Sequence, residues 1–158
     1  MRVKTRTFEV ILAEDNPADA ELVRRALRQH EVNCVLHVIC DGADAIQKIQ
    51  SLDNDPKAPA VDMLILDMHL PRCDGEEILT LLRSTAHASQ TPVIVLAGAD
   101  PKMIREQGEG FPALIFFEKP SELDEFMKLG ALVRSVLSGD EMPLARESGT
   151  ERKSGSTA

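Results

Sequence analysis

Five short apolar runs recur along this chain: Phe8 to Ala13, Cys34 to Ile39, Met63 to Leu66, Pro92 to Leu96 and Ala113 to Phe117. Near-continuous apolarity over so few residues, in place of strict alternation, predicts strands buried on both faces of a parallel sheet. The intervening stretches change period. After Asn16-Pro17, an N-cap followed by a proline suited to the first helical position, Ala20, Val23 and Leu27 share a face with Glu21, Arg24 and Arg28 outside. Asp41-Gly42 reads as a turn, and Ala45, Ile46, Ile49 and Leu52 form a second helical stripe. Asp53 to Ala60, with two prolines, reads as a surface loop. Gly75 opens a third helix carrying Ile78, Leu79 and Leu82, and Asp100-Pro101 starts a short, poor helix holding Gly108 and Gly110. Ser121 is the expected cap of a last helix that turns Leu123, Phe126, Gly130, Val133, Val136 and Leu137 inward.

Five strand–helix units of this kind predict an α/β fold, a doubly wound five-stranded parallel sheet with helices on both faces. One domain over residues 1–138 is expected, followed by a polar Gly/Ser/Glu/Lys-rich tail, 139–158, expected to be disordered. No internal repeat is present.

Composition narrows the function classes. A net charge of −8 argues against non-specific nucleic-acid binding. Aromatics make up 3%, with no Trp or Tyr, which weakens any reading that needs stacking platforms for bases or sugars. The longest apolar stretches fall well short of a membrane span, so no membrane association is expected. The basic N-terminus lacks an apolar segment behind it and does not read as a secretion signal. Cys34, Cys40 and Cys73 lack metal-ligand spacing and read as free thiols of a reducing cytoplasm, Cys73 exposed on a loop.

The chemistry gathers at strand ends. Asp67 ends the third run, Glu14 and Asp15 follow the first, and Lys119-Pro120 follows the fifth. In open α/β sheets the carboxyl edge is where ligands bind. Glu14, Asp15 and Asp67 form a hard-oxygen set suited to Mg²⁺. Without a cation, three close carboxylates repel and at least one pKa rises. Asp67 could then accept a phosphoryl group as an acyl phosphate, with the Lys119 ammonium neutralising a phosphoryl oxygen. Each piece also has an ordinary reading. Acids before Asn-Pro suit a helix start, a lone Asp after a strand is a turn former, and Lys-Pro alone carries little information.

In combination these motifs resemble the receiver domain of bacterial two-component response regulators, the chemotaxis Y-protein family, over about residues 7–138. Glu14-Asp15 matches the family's acid pair. Asp67, followed by Leu70-Pro71 and Gly75, matches the phosphorylated aspartate, and Lys119-Pro120 the family's lysine and proline. The resemblance implies a flavodoxin-like sheet of strand order 2-1-3-4-5. It implies a sensor histidine kinase as partner and the backbone carbonyl of His69 as a further Mg²⁺ ligand. The string Ala13-Glu14-Asp15-Asn16-Pro17-Ala18-Asp19 is most similar to regulators partnered with phytochrome-type kinases.

One position departs from the family. Where it carries Thr or Ser at the end of the fourth strand, this chain has Ala97, then Gly98 and Ala99, leaving the backbone N–H of Gly98 as the phosphoryl contact. The family's switch couples that hydroxyl to an aromatic on the fifth strand, which is Phe116 here. Ala97 should therefore weaken the relay, and Phe116 reads equally as core.

The expectation is a stand-alone, non-enzymatic regulator that signals by protein contact, with a homodimer expected through the last strand and helix. The alternative is a phosphorylation-independent interaction module with a vestigial acid pocket. An aspartyl phosphatase ranks low because the position two after Asp67 is His69 and not a second acid. Flavin binding ranks low because the loops lack the needed aromatics and glycines.

Overall fold

The computed structural model describes residues 6–58, 60–84, 90–98 and 114–139. Five parallel strands form one sheet: β1 (Phe8–Ala13), β2 (Cys34–Ile39), β3 (Met63–Asp67), β4 (Val93–Ala97) and β5 (Leu114–Glu118). Their order is β2-β1-β3-β4-β5, as expected. The described helices are α1 (Pro17–Gln29), α2 (Gly42–Asn54), α3 (Gly75–Ser84) and α4 (Leu123–Leu137). None of them is long and apolar enough to cross a membrane. The expected helix after Asp100, His87, and the tail beyond Gly139 lie outside the described residues.

Side chains alternate across the strands, so the sheet has two cores. Val10, Leu12, Ile65, Ile94 and Leu96 pack with Ala20, Val23 and Leu27 of α1 and Phe126, Leu129 and Val133 of α4. Ile11, Ala13, Leu64, Leu66, Val93 and Val95 pack on the other face with Ala45 and Ile49 of α2 and Ile78, Leu79 and Leu82 of α3. β3 and β4 are buried along their whole length, which is why their sequences show no alternation. Where α4 crosses α1, Gly130 allows a close approach. A Cβ there would stand 2.1 Å from the Ala26 carbonyl oxygen.

Caps and boundaries show where local signals held. The Asn16 side chain accepts from the N–H groups of Ala18 and Asp19, with Pro17 at the first helical position. Asp41 does the same for Ala43 and Asp44, so the expected turn is the N-cap of α2. That helix runs through Asn54, past the predicted loop start at Asp53. It ends because Asp55 precedes Pro56 and is driven to an extended conformation.

Two details of the last helix differ from expectation. Its N-cap is Glu122, not Ser121, and Glu122 makes no side-chain capping bond. The first intrahelical turn closes from the Phe126 N–H to the Glu122 carbonyl, one residue later than the Ser121 signal implied. Leu123 is 50% exposed instead of inward-facing. It sits in the first turn, level with the carboxyl edge, where the sheet beneath it has ended.

Candidate functional site

Strand register brings the site together. Ala13 pairs with Leu66, so Glu14, the next residue along, stands level with Asp67. Asp67 pairs with Leu96, and Ala97 with Glu118, which places Lys119 just beyond the same edge. The Lys119 N–H donates to the Ala97 carbonyl at 2.8 Å, extending the ladder by one bond. After β1 the chain crosses outward to β2 and then returns to β3 on the other side. The crevice between β1 and β3 is therefore the topological switch point, where open α/β sheets bind ligands.

The carboxylate oxygens of Glu14, Asp15 and Asp67 can all lie within 4.8 Å of one another. Glu14 and Asp67 are buried and Asp15 is exposed. The Lys119 ammonium reaches Asp19 Oδ2 at 2.9 Å, Glu14 Oε2 at 3.0 Å and Asp67 Oδ2 at 3.3 Å. Asp67 Oδ1 accepts the His69 N–H at 3.0 Å, so each oxygen of Asp67 has a donor. Glu14 Oε1 accepts the Asn16 N–H at 3.2 Å.

Burial pushes the Glu14 pKa up to about 7, helped by its hydrogen bond and charge repulsion with Asp67 and opposed by Lys119. Burial alone would lower the Lys119 pKa. Its bonds to Asp19 and Glu14, with the charge of Asp67, outweigh that and raise it, so the ammonium stays charged. The donor set fits a hard divalent cation. Three carboxylates converge from two strand ends, two of them buried with too little positive charge to neutralise all three. The open side at Asp15 leaves room for water or phosphate oxygens.

The predicted residues thus assemble: Glu14, Asp15, Asp67 and Lys119 in one pocket, with His69 bound to it through its backbone. Ala97 is buried at 4% exposure and presents only a methyl group. At Gly98 a Cβ would meet nothing within 4 Å, so its backbone borders open space. Phe116 is half-buried and packs against the core on the same face as Ala97. Its neighbour Phe117 points to the opposite core, edge-on to Phe126 with ring centroids 6.2 Å apart. All peptide bonds of the described residues are trans, Lys119–Pro120 included.

Two residues read differently in the structure. Asp19 carries no site signal of its own in the sequence, yet it makes the shortest contact to Lys119. The available signal was its place in the first turn of α1, where an acid suits the helix dipole and projects back toward the strand end. Cys73 is buried, not an exposed loop thiol. It lies under the α2 N-terminus, where a Cβ on Gly42 would stand 1.7 Å from the Cys73 carbonyl oxygen. Burial pushes its thiol pKa up to about 11, helped by Glu77 at 3.0 Å, so it makes a poor thiolate.

Residues 10–130 match the family described as "Response regulator receiver domain". Response regulator Rcp1 of Synechocystis sp. is 30% identical over 87 residues, covering 55% of this chain and 59% of Rcp1. Transcriptional regulatory protein TrcR of Mycobacterium tuberculosis is 36% identical over 128 residues, covering 80% of this chain and 46% of TrcR. The chain thus spans about half the length of these curated relatives. Among solved structures, the phosphorylated cyanobacterial phytochrome response regulator RcpA is similar with a TM-score of 0.74 at 24% identity. That match covers 88% of this chain and all of RcpA. The Mn²⁺-bound form of Rcp1 is similar with a TM-score of 0.72 at 23% identity, over 87% of this chain and 99% of that one. At these identities the structural likeness is one of fold. With the family match spanning the sheet and both ends of the acid pocket, the chain belongs to the response regulator receiver domain family of two-component signalling.

Proposed function

We propose that this chain accepts a phosphoryl group on Asp67 from the phosphohistidine of a sensor kinase, in the cytoplasm, and transmits the change by protein contact. The observation that carries this reading is the pocket itself. A buried aspartate at the switch point is flanked by two further acids and touched by a lysine ammonium.

In this reading a carboxylate oxygen of Asp67 attacks phosphorus, the phosphorus–nitrogen bond breaks, and the leaving imidazole keeps the bonding pair and takes up a proton. The His69 N–H holds Asp67 Oδ1 and so orients the carboxylate. Lys119 follows the transferred charge, moving from Asp67 Oδ2 to a phosphoryl oxygen. Gly98, where an added Cβ would meet nothing within 4 Å, supplies a backbone N–H for another phosphoryl oxygen. Mg²⁺ held by Glu14, Asp15, Asp67 and the His69 carbonyl would screen the repulsion between these acids and the incoming group. A phytochrome-type kinase is the favoured donor, on the likeness to Rcp1 and RcpA.

Ala97 favours a second reading, a phosphorylation-independent interaction module. Its methyl offers no hydroxyl to the pocket. One experiment separates the two. Incubation with acetyl phosphate and Mg²⁺ should add a single phosphoryl group by intact mass, and Asp67→Asn should remove it. An unmodified wild type would favour the module, and modification of the variant would place the acceptor elsewhere.

A further inference from the structure

We propose that Asp19 is a positioning residue for Lys119. It holds the ammonium at the α1 side of the acid pocket, so that Glu14 and Asp67 oxygens stay available to a divalent cation. The proposal rests on the reading of the pocket as a phosphoryl-accepting Mg²⁺ site.

The ammonium has three carboxylate partners, and they are not equivalent. Glu14 and Asp67 belong to the set whose oxygens converge on one point, together with Asp15. Asp19 does not belong to it, yet makes the shortest contact, 2.9 Å against 3.0 and 3.3 Å. A cation bound by the convergent set draws on the carboxylates of Glu14 and Asp67, the same two groups that Lys119 holds. Cation and ammonium therefore compete for two carboxylates, and Asp19 is the partner that only the ammonium uses. Lys119 is one-fifth exposed, and its long stem leaves the headgroup mobile. Without an anchor the ammonium would settle fully between Glu14 and Asp67.

Asp19 is placed for this task by the helix start. Asn16 caps α1 and accepts the Asp19 N–H at 3.4 Å, fixing the backbone of that turn. An acid at this position commonly reaches back to its own N-cap. Here its Oδ2 reaches across to β5, a sequence separation of 100 residues.

The test is Mg²⁺ affinity by isothermal titration for wild type, Asp19→Asn, Lys119→Met and the double variant, with Asp19→Glu as rescue. A carboxylate outside the site also attracts the cation through space, and that contribution is equal with or without Lys119. Anchoring of the ammonium is not. Asp19→Asn should weaken Mg²⁺ binding about fivefold with Lys119 present, the scale of one charge-assisted hydrogen bond partly replaced by water. With Lys119→Met it should change binding less than about twofold. Asp19→Glu, still able to reach the ammonium, should restore most of the affinity. Equal effects of Asp19→Asn in both backgrounds would overturn the proposal while leaving the site intact. No Mg²⁺ binding by wild type would overturn the reading of the pocket and the proposal with it.

Discussion

Glu14 should make Mg²⁺ binding strongly pH-dependent in a range where ordinary carboxylates no longer titrate. The residue is 1% exposed, and burial beside Asp67 raises its pKa from 4.5 to about 7. The folded state therefore holds a proton that the unfolded chain has released. Between these two values the native state binds more protons, so stability falls as pH rises and levels off above about 7. The shift corresponds to about 3 kcal/mol lost by the metal-free protein across that window. A cation must displace the same proton. Apparent affinity should fall about tenfold at about pH 6 relative to about pH 8, with nearly one proton released per ion at the lower pH and few at the higher. Isothermal titration in buffers of different ionisation enthalpy measures both quantities. Glu14→Gln should abolish the pH dependence, weaken Mg²⁺ binding, and raise the melting temperature of the metal-free protein at about pH 8. A dissociation constant and proton release that stay flat across this range would refute the argument, since a Glu14 already ionised at the lower pH has no proton to lose.

Three further outcomes are expected. Ala97→Thr should enlarge the shifts that a beryllium fluoride phosphoryl mimic induces at Phe116 in NMR spectra, by the weight of about one hydrogen bond, on the order of 1 kcal/mol. A full rearrangement already present in wild type would show that the switch runs by another route. Gly130→Ala should destabilise the fold by about 1–3 kcal/mol in urea denaturation, because the added methyl meets the Ala26 carbonyl at a helix crossing that cannot open locally. Sedimentation should show a homodimer through β5, one of the sheet's two edge strands, and α4, and a monomer at all concentrations would remove that expectation.

Much of the fold was legible because it rests on short-range patterns. Apolar runs without alternation identified strands covered on both faces, and Asn16-Pro17 marked a helix start whose cap bonds form within three residues. The acids and the lysine were legible as strand-end residues, since a strand that stops at a polar side chain announces an edge. Ser121 misled because serine is a strong cap signal. The helix starts one residue later, behind Glu122, and Leu123 in its first turn is exposed. Cys73 misled because the polar residues around it read as loop, whereas its burial comes from the approach of α2 at Gly42, thirty-one positions away in sequence. Asp19 is the sharpest case. Its own segment explains it fully as a first-turn acid, and nothing nearby in sequence names its partner. Only the successive registers of β1 against β3, β3 against β4 and β4 against β5 carry Lys119 to it across one hundred residues. Local sequence determined which side chains stand at the ends of strands. The tertiary structure decided which of them share charge, because that depends on distances of a few ångströms set by packing far away along the chain.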